Sequence, residues 1–210
     1  MSVKSASIKA CRRCGICCDK GGPTFHAEDR ILVESGVIPA RHLYTLRKGE
    51  MVNDPIRGCL LPLESEMIKI KGRMPAWTCV FFDKTGSACR IYEHRPLECR
   101  ILKCWDTRDI EAEYSRNRLT RKDILSGIPA LWSLVADHDL RCSHLALRKL
   151  LDAKSGRAAV KKDIQEMLGY DRSIREIVVE KTGVEPDMLD FIFGRPLLES
   201  LHGRFHDRGA

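Results

Sequence analysis

The chain has 210 residues, of which 43% are hydrophobic and 31% charged, and its formal net charge is +7. That is ordinary globular composition, ample for a real core in one larger domain or two small ones. No apolar run of about 18 residues occurs, which argues against a membrane-spanning helix. The opening MSVKSASIKACRRCG has no apolar signal-peptide core, so cytoplasmic residence is expected.

The first feature in chain order is CRRCGICCDKG, residues 11–21, with four cysteines in eight positions. PTFHAEDRILVESG then reads as a short helix, capped by Thr24 or His26, acidic in its first turn at Glu28 and Asp29, and ended by Gly36. A second short helix is predicted over residues 40–48. EMIKIKG alternates like a half-buried strand, and WTCVFFD and ACRIYEH flank Lys84–Ser87 as a predicted β-hairpin. Pro96 starts a turn or helix at PLECR.

From about residue 107 the pattern becomes helical. Thr120, three residues before Asp123, makes a capping-box start, and Pro129 breaks or kinks the helix begun there. CSHLALRKLLDAK, AAVKKDIQEMLG, DRSIREIVVEKTG and EPDMLDFIFG each show helical apolar spacing, most with a terminal Gly. LWSLV and FIFG read as core stripes, and the final HGRFHDRGA as a frayed tail. The expected fold class is therefore α+β: a small cysteine-rich, metal-centred domain with few strands (1–106), followed by an all-helical domain (107–210).

Nine of the ten cysteines lie in residues 1–106. In a reducing compartment such cysteines favour metal binding or reactivity over disulfides. The pattern is Cys11-x2-Cys14-x2-Cys17-Cys18, then Cys79-x9-Cys89-x9-Cys99-x4-Cys104. Two-residue gaps let a chain wrap a metal so that successive sulfurs reach it at about 2.3 Å. Gly15 permits positive φ between the second and third cysteines. The hairpin brings Cys79 and Cys89 together across two strands, and Cys99 and Cys104 close the group. The first run resembles a ferredoxin string, but Cys18 follows Cys17 at once and no proline follows, which excludes an ordinary ferredoxin. A zinc ribbon needs a second C-x2-C knuckle that is missing. Neighbouring side chains diverge, so Cys17 and Cys18 are expected to serve different metals or to bridge. Cys59 and Cys142 have apolar neighbours and no partner at ligand spacing, and read as buried small hydrophobes.

Charge follows the cysteines. Residues 1–106 carry 18 Lys+Arg against 12 Asp+Glu, and residues 107–210 carry 18 against 17. Arg12, Arg13, Lys20, Arg90, Arg95, Arg100 and Lys103 crowd the thiols, where cations lower thiol pKa and screen a negatively charged site. The rival use of that charge is an anionic partner such as nucleic acid, though no nucleic-acid motif appears.

These blocks, CRRCGICC and WTCVFFD…ACRIYEHRPLECRILKC, resemble the CxxCxxCC family, a zinc- or iron-chelating domain. The resemblance covers about residues 8–106 and departs at Val80, where the family usually has Pro. It implies metal chelation by Cys11, Cys14, Cys17, Cys18, Cys79, Cys89, Cys99 and Cys104. Enzymes that methylate flagellin lysines carry a similar cysteine domain, which makes protein modification one setting.

Other candidates are weaker. His94 reads as a surface-loop histidine rather than a ligand, Glu93 and Arg95 as groups that pair or donate to sulfur, and Tyr92 and Pro96 as structural. DHDLRCSH, residues 137–144, offers either a further metal site or a polar interhelical loop, the latter preferred. No nucleotide-binding or serine-hydrolase signature is present, and no motif ties a nucleophile to a base; whether there is catalysis stays open. The expectation is an iron–sulfur cluster acting in electron transfer or as an accessory to protein modification. The alternatives are a structural-zinc module meeting a protein or nucleic-acid partner, and an enzyme like a protein lysine methylase. A protein partner is expected, and no membrane.

Overall fold

The structure, a computed structural model, describes residues 10–153 and 157–206. Its strands are β1 (Leu43–Leu46), β2 (Met51–Asp54), β3 (Cys59–Pro62), β4 (Met67–Ile70), β5 (Gly72–Arg73), β6 (Thr78–Cys79), β7 (Phe82–Asp83) and β8 (Ala88–Cys89). Its helices are α1 (Ile16–Asp19), α2 (Arg30–Glu34), α3 (Leu97–Ile101), α4 (Arg108–Glu113), α5 (Arg121–Leu125), α6 (Pro129–Arg141), α7 (His144–Asp152), α8 (Arg157–Thr182), α9 (Leu189–Ile192) and α10 (Leu197–His206). The fold is α+β, with short antiparallel pairs in the first half and helices in the second.

The helix predicted over 40–48 is absent. Residues 40–42 form one 3-10 turn, and β1 comes next, paired with β4 in the register Leu43↔Ile70 to Leu46↔Met67. All four residues of β1 are buried. A helix of this length buries one stripe, whereas a strand covered on both faces buries every side chain. One cover is α9, where the Thr45 hydroxyl donates to the Phe191 carbonyl at 2.7 Å. β4 is the strand expected from EMIKIKG.

The β1–β4 pair is extended by irregular chain. The Phe25 amide donates to the Ile68 carbonyl at 2.9 Å, and the Leu119 amide to the Phe25 carbonyl at 3.0 Å. Residues 24–27 thus lie between β4 and residues 117–119, satisfying their backbone groups without formal strands. This ties the chain just after the first cysteine run into the core. Gly22 makes the entry possible, since a Cβ there would stand 2.4 Å from the Ile70 carbonyl oxygen.

The main core combines Phe25, Leu43, Ile68 and Ile70 with Leu119, Leu125, Val135, Phe191, Ile192 and Phe193. It therefore draws on residues from both sides of position 106. The predicted hairpin is present as β7 and β8, but it pairs Cys89 with Phe82; Cys79 pairs with Gly72 in the β5–β6 ladder. Cys79 and Cys89 are thus not cross-strand partners as expected.

In the second half, Thr120 and Asp123 form the expected capping box, and the break at Pro129 starts α6 at its first turn. The two helices expected on either side of Gly169 are one, α8, 26 residues long. Glycine in a helix interior costs only about 1 kcal/mol, and packing outweighs that. The expected frayed tail is helical through His206, and residues 207–210 lie outside the described residues. No described helix is long and apolar enough to cross a membrane.

Candidate metal centre

The first cysteine run is shaped by backbone with positive φ. Arg13 has φ 53° and Gly15 φ 79°, and α1 begins immediately after Gly15. The Arg13 amide points at the Cys11 sulfur at 3.4 Å. Gly15 is pressed against Phe82, so close that a Cβ would fall 2.1 Å from the ring. Because Phe82 pairs with Cys89, this contact sets the first run against the hairpin. The Thr78 hydroxyl donates to Asp19 at 2.9 Å and ties α1 to the strand that carries Cys79.

Five of the eight predicted residues feel one another's charge, although among the described residues no three of the eight bring their sulfurs within 4.8 Å of one another. The neighbouring Cys18 lowers Cys17 to about 6 against burial, with Arg95 contributing a smaller pull. Cys18 itself is raised, first by Cys17 and then by burial, with Cys79 and Cys99 adding to it. Burial raises Cys99, and Cys79, Cys17 and Cys89 push in the same direction. Cys79 is likewise raised by burial and by Cys89, with Arg73 opposing. Cys17 is exposed and Cys18 half-buried, side by side in α1. Cys11 and Cys14 are exposed at the rim of the run, and Cys104 is exposed after α3. Cys142 is buried as expected, but Cys59 is exposed on β3, where its apolar neighbours do not cover it.

Cations flank the thiols. Arg13 and Arg95 stack on the Tyr92 ring, 4.1 and 3.6 Å from its centre, and clamp the first run to the YEHRP segment. Arg73 and Arg90 donate to the Phe82 and Val80 carbonyls. With Lys84, Met74, Pro75 and Thr78 they line an open cleft of about 490 Å³ next to Cys79. His94 is exposed, as a surface histidine should be.

Sequence reasoning missed the scaffold behind Cys99. Glu98 is buried and accepts from the Thr24 amide at 2.6 Å, with His26 Nε2 at 3.5 Å. Asp29, read as a first-turn acid, is buried, and its carboxylate accepts from the His26 amide at 3.0 Å and the Leu97 amide at 2.8 Å. His26 stands at the N-cap as expected, but of a 3-10 turn over Ala27–Asp29 that precedes α2. It is buried, its Nδ1 meeting the Arg116 carbonyl at 2.8 Å. The one signal was polarity: Glu98 sits mid-motif beside a cysteine. Residues 137–144 are not the polar loop preferred from sequence either, because His138 and Cys142 are fully buried and His144 nearly so.

Four cysteine-bearing stretches flanked by arginines give this part of the chain the make-up of a chelating domain. A family model, "CxxCxxCC: Putative zinc- or iron-chelating domain", matches residues 10–122, and the chain belongs to that family. No curated protein and no solved structure matches it.

Proposed function

We propose that the protein holds an iron–sulfur cluster through ligands drawn from Cys11, Cys14, Cys17, Cys18, Cys79, Cys89, Cys99 and Cys104, and serves electron transfer or assists a protein-modifying reaction. What supports this reading is the match to a zinc- or iron-chelating family over residues 10–122, together with the mutual influence of Cys17, Cys18, Cys79, Cys89 and Cys99 on one another's thiols. Their donor set is all sulfur, which suits iron–sulfur clusters and zinc and is foreign to hard cations. Arg13, Arg73 and Arg95 offset the negative charge that thiolates leave on such a centre. A bound cluster would supply one-electron chemistry at the protein surface, where Cys11, Cys14, Cys17 and Cys104 are exposed.

The protein's own part is to hold and to dock. The stacked Arg13–Tyr92–Arg95 clamp fixes the exposed run, and the Gly15–Phe82 contact sets it against the hairpin. The basic cleft offers Arg73, Lys84 and Arg90 to acidic side chains of a protein partner.

A second reading, structural zinc, draws on the Arg13 amide directed at the Cys11 sulfur, a turn that wraps thiols around a single ion. Iron, zinc and acid-labile sulfide, measured together on anaerobically purified protein, separate the two. Brown protein with iron and sulfide in similar amounts supports the cluster. Colourless protein with stoichiometric zinc, unfolding on chelation, replaces it with the structural-zinc module.

A further inference from the structure

We propose that His138, Cys142 and Asp171 form a separate buried site for a borderline divalent cation such as zinc. The proposal uses none of the eight cysteines above and does not depend on what they bind.

His138 and Cys142 are four residues apart at the end of α6, so their side chains leave the same helix face. Asp171 faces them from α8. Their ligand atoms all lie within 4.8 Å of one another, and all three residues are buried. Nitrogen, sulfur and oxygen together make a donor set that zinc accepts. One thiolate and one carboxylate neutralise a dication. The Asp171 carboxylate is already paired with Arg175 at 3.0 Å, so loading adds a single positive charge.

The surroundings already orient each donor. Asp171 Oδ1 accepts from Arg175 Nε at 3.0 Å and Oδ2 from the Leu197 amide at 2.9 Å, leaving lone pairs on the carboxylate. Arg47 Nη1 donates to the Cys142 carbonyl at 3.1 Å and fixes the residue that ends α6. Ligating carboxylates are commonly held in this way by outer groups.

The decisive detail is His138. Its Nε2 lies 2.8 Å from Asp171 Oδ1, while its Nδ1 is buried without a hydrogen-bond partner. With the proton on Nε2, Nδ1 is a bare acceptor beside the Phe193 ring, whose centre is 4.7 Å from that of the imidazole. A cation on Nε2 reverses the tautomer. The proton then sits on Nδ1 and faces Asp139 Oδ1, 3.8 Å away, the carboxylate–histidine–metal pattern that orients metal-bound imidazoles. Asp139 is itself held by Arg121 at 2.6 Å. Loading also displaces the thiol proton of Cys142 to solvent, so one proton leaves for each cation bound.

The test is zinc content of the full chain produced with zinc supplied. Cys142→Ser and His138→Gln are each expected to carry one equivalent of zinc less than the parent, with the content of any other metal unchanged. Equal zinc in the parent and both variants overturns the proposal. The parent alone gives a second reading that needs no substitution. Loaded with cadmium-113, it is expected to show a resonance characteristic of a single sulfur ligand, apart from any many-thiolate signal. A spectrum without that resonance overturns the site as well.

Discussion

The Thr24 amide donates to the Glu98 carboxylate at 2.6 Å across 74 residues of chain. This bond joins the segment just after the first cysteine run to the helix that carries Cys99. Around it, Asp29 holds the Leu97 amide, and Lys69 caps the group through the Thr24 hydroxyl at 3.2 Å. The placement of Cys99 relative to the first cysteine run therefore rests on buried polar groups as well as on apolar packing.

Glu98→Gln is expected to loosen that placement. Burial pushes the Glu98 carboxyl up, but His26, Lys69 and the Thr24 amide together outweigh it and hold the group below the usual range. The amide keeps the shape and loses the charge. A hydrogen bond to a charged group contributes about 1.5–3 kcal/mol, so a loss of about 2 kcal/mol is expected in urea unfolding, with lower metal retention on dialysis against a chelator. Unchanged retention and stability would detach Glu98 from the centre.

Gly15→Ala tests the contact between the first run and the hairpin. The new Cβ meets the Phe82 ring at 2.1 Å and the backbone is already at φ 79°. Left-handed backbone costs a non-glycine residue about 1–2 kcal/mol, and overpacking adds about 1–3 kcal/mol. Gly36 has φ 74° and open space around it, so Gly36→Ala carries the backbone cost alone. Thermal unfolding should show Gly15→Ala as the more damaging of the two, and Phe82→Leu should restore part of its loss.

Local chemistry was legible in the sequence, and long-range pairing was not. The capping box at Thr120–Asp123, the β7–β8 turn and the start of α3 at Pro96 each depend on residues within a few positions, and each formed. The cysteine spacing was legible for the same reason. What failed depended on distant partners. Leu43–Leu46 became a strand because β4 and α9 cover it. Cys79 chose Gly72 as its ladder partner, a residue outside the predicted hairpin. Gly169 did not end its helix, since nothing near it forces a left-handed turn. Cys59 is exposed although Leu60 and Leu61 come directly after it, because β3 pairs only with β2.

Tyr44 gives the fold an alkaline limit. It is buried in β1 against Trp77, with ring centres 5.6 Å apart. Burial pushes its hydroxyl up to about 12, against a smaller opposing pull from Arg195. The unfolded chain gives up this proton near pH 10 and the folded chain only near 12, so stability falls as pH rises between those values. One pKa unit corresponds to about 1.4 kcal/mol, which sets the loss at roughly 3 kcal/mol. Urea unfolding at pH 9 and pH 11 should show about half of that loss, about 1.4 kcal/mol, in the parent and less in Tyr44→Phe. Equal slopes in the two proteins would remove Tyr44 as the cause.

Arg121 has the most demanding position in the molecule. It is 1% exposed, and its guanidinium donates to Glu66 at 2.8 Å, to Asp139 at 2.6 Å and to the Ile192 carbonyl at 2.9 Å. One side chain thus links the loop before β4 to α6 and α9. Arg121→Met keeps much of the volume but leaves Glu66 without this cation and Asp139 with Arg47 alone, 3.5 Å away. Removing one partner from a buried ion pair costs about 3–5 kcal/mol, and that loss is expected in urea unfolding followed by tryptophan fluorescence and circular dichroism together. Adding Glu66→Gln to the variant should recover part of it, because the uncompensated charge, more than the missing contacts, is what destabilises. If the single variant loses under about 1 kcal/mol, or the second substitution makes it worse, the pairing contributes little and the apolar core alone holds these elements together.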